Sequence, residues 1–211
     1  MQSKVFGLII IAGALVACGD TGKTAEQAVV ADTVAVTKDG SATATVPAQP
    51  VPFSQVANYD DKRSFNVSSP QLAEKNTVLI VPAGFTASND GIQLDVEGQV
   101  VKVEVADISG DNSPELLVVT KDAGNHGHAY VFSGNNNKSV SQVNIEDATS
   151  TKGAMDGYNG EDEYALVETV FARRFPVYES GAKTGKTRQI QFKLRNGEAM
   201  KQLKVDKVTT F

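Results

Sequence analysis

From Thr77 to the C terminus the apolar residues recur at every second position or in short unbroken runs, and few stretches carry a helical period. Side chains alternate between the two faces of a strand, so this pattern demands sheets. In "VVKVEVADI", Val101, Val103 and Val105 share one face, and Lys102 and Glu104 share the other. "ELLVVT" (Glu115–Thr120) is a continuous apolar run bounded by turn residues, as expected of a strand buried on both faces. "TVLIV", "HAYVFS", "SVSQVNI", "EYALVETVFARRFPVY", "TRQIQFKL" and "AMKQLKVDKV" read as further strand material. Asn89-Asp90-Gly91 marks a turn, and Asn196-Gly197 predicts a two-residue hairpin in which both turn positions take positive φ. "SPQLAEKN" (Ser69–Asn76) has room for one or two helical turns. The expected fold class is all-β or β-rich: an antiparallel β-sandwich-like domain with two sheets face to face, behind a flexible N-terminal tether.

The N-terminal end bears on compartment. Lys4 precedes an apolar run of thirteen residues, Val5–Ala17. Spanning a bilayer takes roughly 20 residues, so the run fits the core of a signal peptide. It ends in Leu15-Val16-Ala17-Cys18, which resembles a bacterial lipobox. That resemblance implies cleavage after residue 17 and acylation of the Cys18 thiol. Cys18 is the only cysteine in the chain, and a lone thiol in an oxidising compartment is a liability unless it is used. Two or more acyl chains anchor a protein stably to a membrane without spanning it. The expected location is the periplasmic face of a bacterial envelope. Gly19, where inner-membrane lipoproteins often carry aspartate, tilts this toward the outer membrane.

The segment "GDTGKTAEQAVVADTVAVTKDGSATATVPAQPVP" (Gly19–Pro52) has no aromatic residue and cannot bury a core. The expected division is a signal peptide over 1–17, a lipid anchor and tether over 18–57, and one β-rich domain over 58–211. A tether of this length has a root-mean-square span of roughly 30–35 Å. The 20 basic residues less Lys4, against 25 acidic ones, leave a net charge of −6 after cleavage. That balance argues against a nucleic-acid partner, which would call for a basic domain.

Two motifs lie close together in "DISGDNSPELLVVTKDAGNHGHAYVF" (Asp107–Phe132). Asp107, Ser109, Asp111, Ser113 and Glu115 put oxygens at alternate positions, as a calcium loop does. The twelfth position, where an EF-hand needs a bidentate acid, is Val118. Calcium through Asp107, Ser109, Asp111 and Glu115 is one reading. A hydrogen-bonded turn scaffold with no cofactor is the simpler one, because Asp, Ser, Asn and Gly all form turns. His126 and His128, the only histidines, sit one residue apart, so a strand would point both the same way. Two imidazoles could help to hold zinc or copper, but such a site needs three or four ligands, with Asp122 the nearest supplement. The chain has no G-x-S-x-G elbow, phosphate loop or H-E-x-x-H, and nothing marks a nucleophile beside a base; a non-enzyme is expected.

The stretch Asp90–Phe132 resembles the periplasmic inhibitors of invertebrate-type lysozyme. The resemblance is carried by Asp-Gly, a strand, then Ala-Asp-x-x-Gly-Asp-x-x-Pro-Glu, a hydrophobic strand and Ala-Gly. Asp107, Gly110, Asp111, Pro114, Glu115, Ala123 and Gly124 stand at the matching places. "GYNGED…RRFPVYESGAKTGKTRQIQFKL" resembles an extension of bacterial envelope proteins that share this first half. The resemblance implies a β-sandwich-like fold and a loop after Ala-Gly that enters the lysozyme cleft, where Ser-Gly-x-Tyr hydroxyls meet the catalytic carboxylates. Here the aligned residues are Asn125, His126, Gly127 and His128, and Tyr130 comes two positions late. Asp122, Asn125, His126, Gly127, His128 and Tyr130 are therefore the expected partner-binding loop. Asparagine and histidine can still hydrogen-bond carboxylates, best when the imidazoles are protonated.

Charge is also unevenly laid out. Residues 146–168 hold seven acids and one lysine, and residues 183–207 hold eight bases and two acids. Solvated strand faces account for this, and a basic face for an acidic partner is the sharper alternative.

Overall fold

The computed structural model describes residues 50–211. The expected signal peptide, Cys18 and the expected tether as far as residue 49 lie outside the described residues. Two sheets account for the architecture. The smaller is antiparallel and runs in chain order: β1 (Phe53–Asn58), β2 (Ser64–Ser69), β3 (Asn76–Ala83) and β4 (Ile92–Val96). The larger has eight strands: β5 (Gln99–Ala106), β6 (Glu115–Lys121), β7 (Gly127–Asn135), β8 (Ser139–Ile145), β9 (Glu163–Val167), β10 (Val170–Glu179), β11 (Ala182–Asn196) and β12 (Lys201–Thr210). Their order is β5-β6-β7-β8-β12-β11-β10-β9. Every pairing is antiparallel except β8–β12, which is parallel, with Asn144 opposite Gln202 and Ile145 opposite Leu203.

The larger sheet curls into a nearly closed barrel whose edge strands, β5 and β9, come back beside each other. Side chains bridge that seam. Lys102 Nζ donates to the Tyr164 carbonyl at 2.8 Å, and the Leu166 N–H donates to Glu104 Oε2 at 3.0 Å. Lys102 and Glu104 also pair with each other at 2.7 Å.

Two cores follow. One fills the barrel, with Leu117, Val119, Val131, Phe171, Phe175 and Phe192. The other lies between the barrel wall and the small sheet, with Phe65, Val67, Ile80, Leu116, Val118 and Phe132. Strand β6 thus sends successive residues into different cores, which is why "ELLVVT" has no polar face. Leu116 and Leu117 are fully buried, and truncating a leucine in such a place costs about 2–5 kcal/mol.

Several expectations need correction. The domain starts at Phe53 rather than residue 58, because β1 pairs with β2 along its whole length. Residues 70–75 make no helical turn. Gln71 and Lys75 take positive φ, which stops a helix, and Asn76 anchors the bend by accepting from Ser69 and the Leu72 N–H and donating to the Gly98 carbonyl. Val101 does not share a buried face with Val103. The β5–β6 register slips between Val100 and Lys102, so Val101 is an extra, outward residue that is 53% exposed. The Asn196-Gly197 hairpin forms, but with a four-residue turn: Asn196 pairs with Lys201, and the Gly197 N–H bonds the Met200 carbonyl. "EYALVETVFARRFPVY" is folded back on itself at Glu168, whose φ is 50°.

Candidate binding loop

The two motifs of Asp107–Phe132 are separated by the length of β6, roughly 20 Å for seven residues in a strand. They form two distinct sites.

At the N-terminal end of β6, the acidic loop is a hydrogen-bonded turn. Asp107 accepts from the Gly110 N–H (2.7 Å), the Asn112 N–H (2.8 Å) and the Ser109 hydroxyl (3.2 Å). Asp111 accepts from the Ser113 N–H at 2.9 Å. Glu115 lies beneath the loop, fully buried, where it accepts from the Ile108 N–H at 3.0 Å and the Ser133 hydroxyl at 2.7 Å. The cation beside these acids is the Lys201 ammonium, at the start of β12. It donates to Ser133 Oγ at 2.9 Å and lies 3.4 Å from Asp111 and 3.8 Å from Glu115. Burial pushes the Glu115 carboxyl up despite its hydrogen bonds. Among the described residues no group of three or more His, Cys, Asp or Glu side chains is arranged to hold a metal ion.

At the other end of β6 is the histidine turn. The Asn125 N–H bonds the Asp122 carbonyl, and the Asp122 N–H bonds the His126 carbonyl, both at 3.1 Å. Asn125 takes a φ of 62°, a conformation asparagine tolerates better than most residues. Asp122 is the hub. Its Oδ1 accepts the His126 N–H at 2.9 Å, and its Oδ2 lies 3.2 Å from His126 Nδ1 and 3.4 Å from His128 Nε2. Glu97, on the β4–β5 turn, approaches His128 Nε2 at 3.5 Å. The His126 N–H above all, then the two imidazoles, hold the Asp122 carboxyl below its ordinary range. His126 Nε2 and His128 Nδ1 have no partner among the described residues.

The segment before β9 clamps this turn from behind. The Glu161 N–H donates to the Asn125 carbonyl at 3.0 Å, and the Gly127 N–H donates to Asp162 Oδ2 at 3.1 Å. Gly127 has to be glycine, since a Cβ there would lie 2.8 Å from that of Asp162. The Asp162 carboxylate is buried and also accepts from Arg173 Nε at 2.7 Å and the Tyr158 hydroxyl at 2.6 Å. The Arg173 guanidinium lies over the rings of Tyr158, Tyr164 and Phe175. Burial first, and donation to Asp162 second, push the Tyr158 hydroxyl up to about 12.

Of the six expected loop residues, Asn125 and His126 are exposed and Asp122 and His128 are half-buried. Gly127 is buried at the start of β7. Tyr130 is three residues into that strand, its oxygen accepting the Glu97 N–H at 2.9 Å. The exposed loop is therefore the shorter stretch Asp122–His126. Asp162, Arg173, Tyr158, Glu97 and Lys201 did not stand out in the sequence as site residues. Arg173 carried a legible signal: it falls in phase with Phe171 and Phe175, so an alternating strand turns it inward, where it is half-buried. An inward-turned guanidinium calls for an acid.

No family model, curated protein or solved structure matches the chain.

Proposed function

We infer that this chain is a lipid-anchored protein of the bacterial envelope that acts by binding, presenting the turn Asp122–His126 to the cleft of a partner enzyme. The resemblance in Asp90–Phe132 names the partner as a lysozyme of the invertebrate type. The observation that carries this reading is the clamp on both sides of the turn, Glu161 on Asn125 and Asp162 on Gly127. A turn fixed before binding has its ordering cost already met, so more of its contact energy appears as affinity. Its exposed polar residues suit a carboxylate-lined cleft: the Asn125 amide, and the His126 ring, whose Nε2 has no partner among the described residues. The Asp122 carboxylate beside both rings balances their charge when protonated, so the turn is a hydrogen-bonding tip rather than a bare cationic one. The test is equilibrium binding of the chain from Gly19 onward to immobilised lysozymes of the invertebrate, chicken and goose types. Binding confined to the invertebrate type, and weakened by Asn125→Ala or His126→Ala, supports the reading. Binding to none of the three rejects it.

A further inference from the structure

The bulge in β5 has a consequence away from the histidine turn. The slip at Val100–Lys102 turns the apolar side chain of Val101 outward, into a cleft of about 570 Å³ at the end of the barrel seam where β5 and β9 diverge. Small-molecule sites typically measure roughly 300–1,000 Å³ and are mostly apolar with a few convergent polar groups. Val119, Tyr164, Ala165 and Ala172 supply further apolar lining. Three cations stand around it: Lys102, Lys121 and Arg174. Lys102 is committed to Glu104 and to the Tyr164 carbonyl. Lys121 and Arg174 make no ion pair among the described residues; their partners are the neutral amides of Asn125 and Gln189. Of the two acids at the cleft, Asp162 is consumed by Arg173, Tyr158 and Gly127, which leaves Glu163. The charges of Lys121 and Arg174 thus exceed the one uncommitted carboxylate beside them.

We propose that this cleft binds a small carboxylate on an aliphatic body, the chain lying against Val101 and Ala172 and the carboxylate meeting Lys121 and Arg174. A β-bulge re-aims a side chain at the expense of the ladder, and here it aims a valine into a cavity with unpaired cations at its rim. The cleft adjoins the partner-binding turn through Lys121, which bonds Asn125, but the proposal does not rest on that reading.

The test is calorimetric titration of the chain from Gly19 onward with decanoate, decanol and acetate. Decanol keeps the body without the charge, and acetate keeps the charge without the body. Decanoate should bind once per chain and at least tenfold more tightly than either. Val101→Glu should weaken decanoate at least tenfold. Lys121→Gln with Arg174→Gln should reduce decanoate to the level of decanol. All three positions are at the surface or rim, and a thermal melt confirms each variant is folded. His126→Ala should leave decanoate binding unchanged, and the methyl resonances of Ala165 and Ala172 should shift on titration rather than that of Ala129, which lies beside His128 in β7. Equal affinity for decanoate and decanol, binding indifferent to the double variant, or no binding by the parent would each overturn the proposal.

Discussion

Replacing Asp162 with alanine should do more damage than any other single change near the histidine turn. The carboxylate is buried, with the Arg173 guanidinium, the Tyr158 hydroxyl and the Gly127 N–H all donating to it. The variant leaves a guanidinium whose side chain is only 18% exposed without its counter-ion. Breaking a buried pair in this way costs about 3–5 kcal/mol. The two orphaned neutral donors would cost about 1–3 kcal/mol each if they stayed dry, but the 410 Å³ cavity lined by Tyr158, Gly127 and Arg173 lets water reach them, and it softens the loss at the guanidinium as well. The expected loss therefore lies at the lower end of the buried-pair range, about 3 kcal/mol. For a domain of this size, about 2–4 °C per kcal/mol, that lowers the melting temperature by roughly 10 °C. The double variant Asp162→Ala with Arg173→Met removes both charges and should be more stable than Asp162→Ala alone. Urea unfolding of the parent, both single variants and the double variant gives the coupling, and amide exchange at Gly127 reports the clamp separately. A loss under about 1 kcal/mol for Asp162→Ala, or costs that simply add in the double variant, would show that Asp162 and Arg173 are not a coupled buried pair.

Three further outcomes are expected. Asp60, held down to about 2 by hydrogen bonds from Arg63, has a folded value below its unfolded one, so its contribution is present above about pH 4 and lost as pH falls toward 2; Asp60→Asn should flatten acid unfolding across that window. Excess EDTA followed by millimolar calcium should leave the melting temperature of the parent unchanged, because backbone N–H groups and Lys201 already satisfy the acidic loop; stabilisation near 2.7 kcal/mol, the value for a site filled at 100 times its Kd, would instead reveal a calcium site. Cys18→Ser should block precursor processing and membrane association, as followed by fractionation, and unchanged processing and localisation would remove the lipid anchor.

What the sequence disclosed follows from how local each determinant is. The double-sided burial of β6 was readable because the apolar run is unbroken from Leu116 to Val119. The bulge at Val101 was hidden, since Val101–Val105 alternate as a regular strand would and the slip arises where Gln71, from a distant loop, bonds both backbone groups of Val100. The Asn196-Gly197 signal located the hairpin and misjudged its turn, because Asn196 itself pairs with Lys201 and leaves Gly197–Met200 as the turn. Asp107–Phe132 read as one motif, yet β6 carries its halves to opposite ends of the barrel. Lys201 could not be assigned to the acidic loop from sequence: 86 positions separate it from Glu115, and only the barrel closure joins them. The histidine turn was legible as a turn, but its clamp comes from Glu161 and Asp162, which read only as part of an acidic run.

Whether Asp122–His126 is a preset recognition turn is read out by inhibition of an invertebrate-type lysozyme. The chain from Gly19 onward would be compared with its Asn125→Ala, His126→Ala double variant, both positions being exposed on the turn. The parent should inhibit, and the double variant should remain folded in a thermal melt and inhibit much more weakly. No inhibition by the parent, or equal inhibition by the two proteins, would remove the turn as the recognition surface.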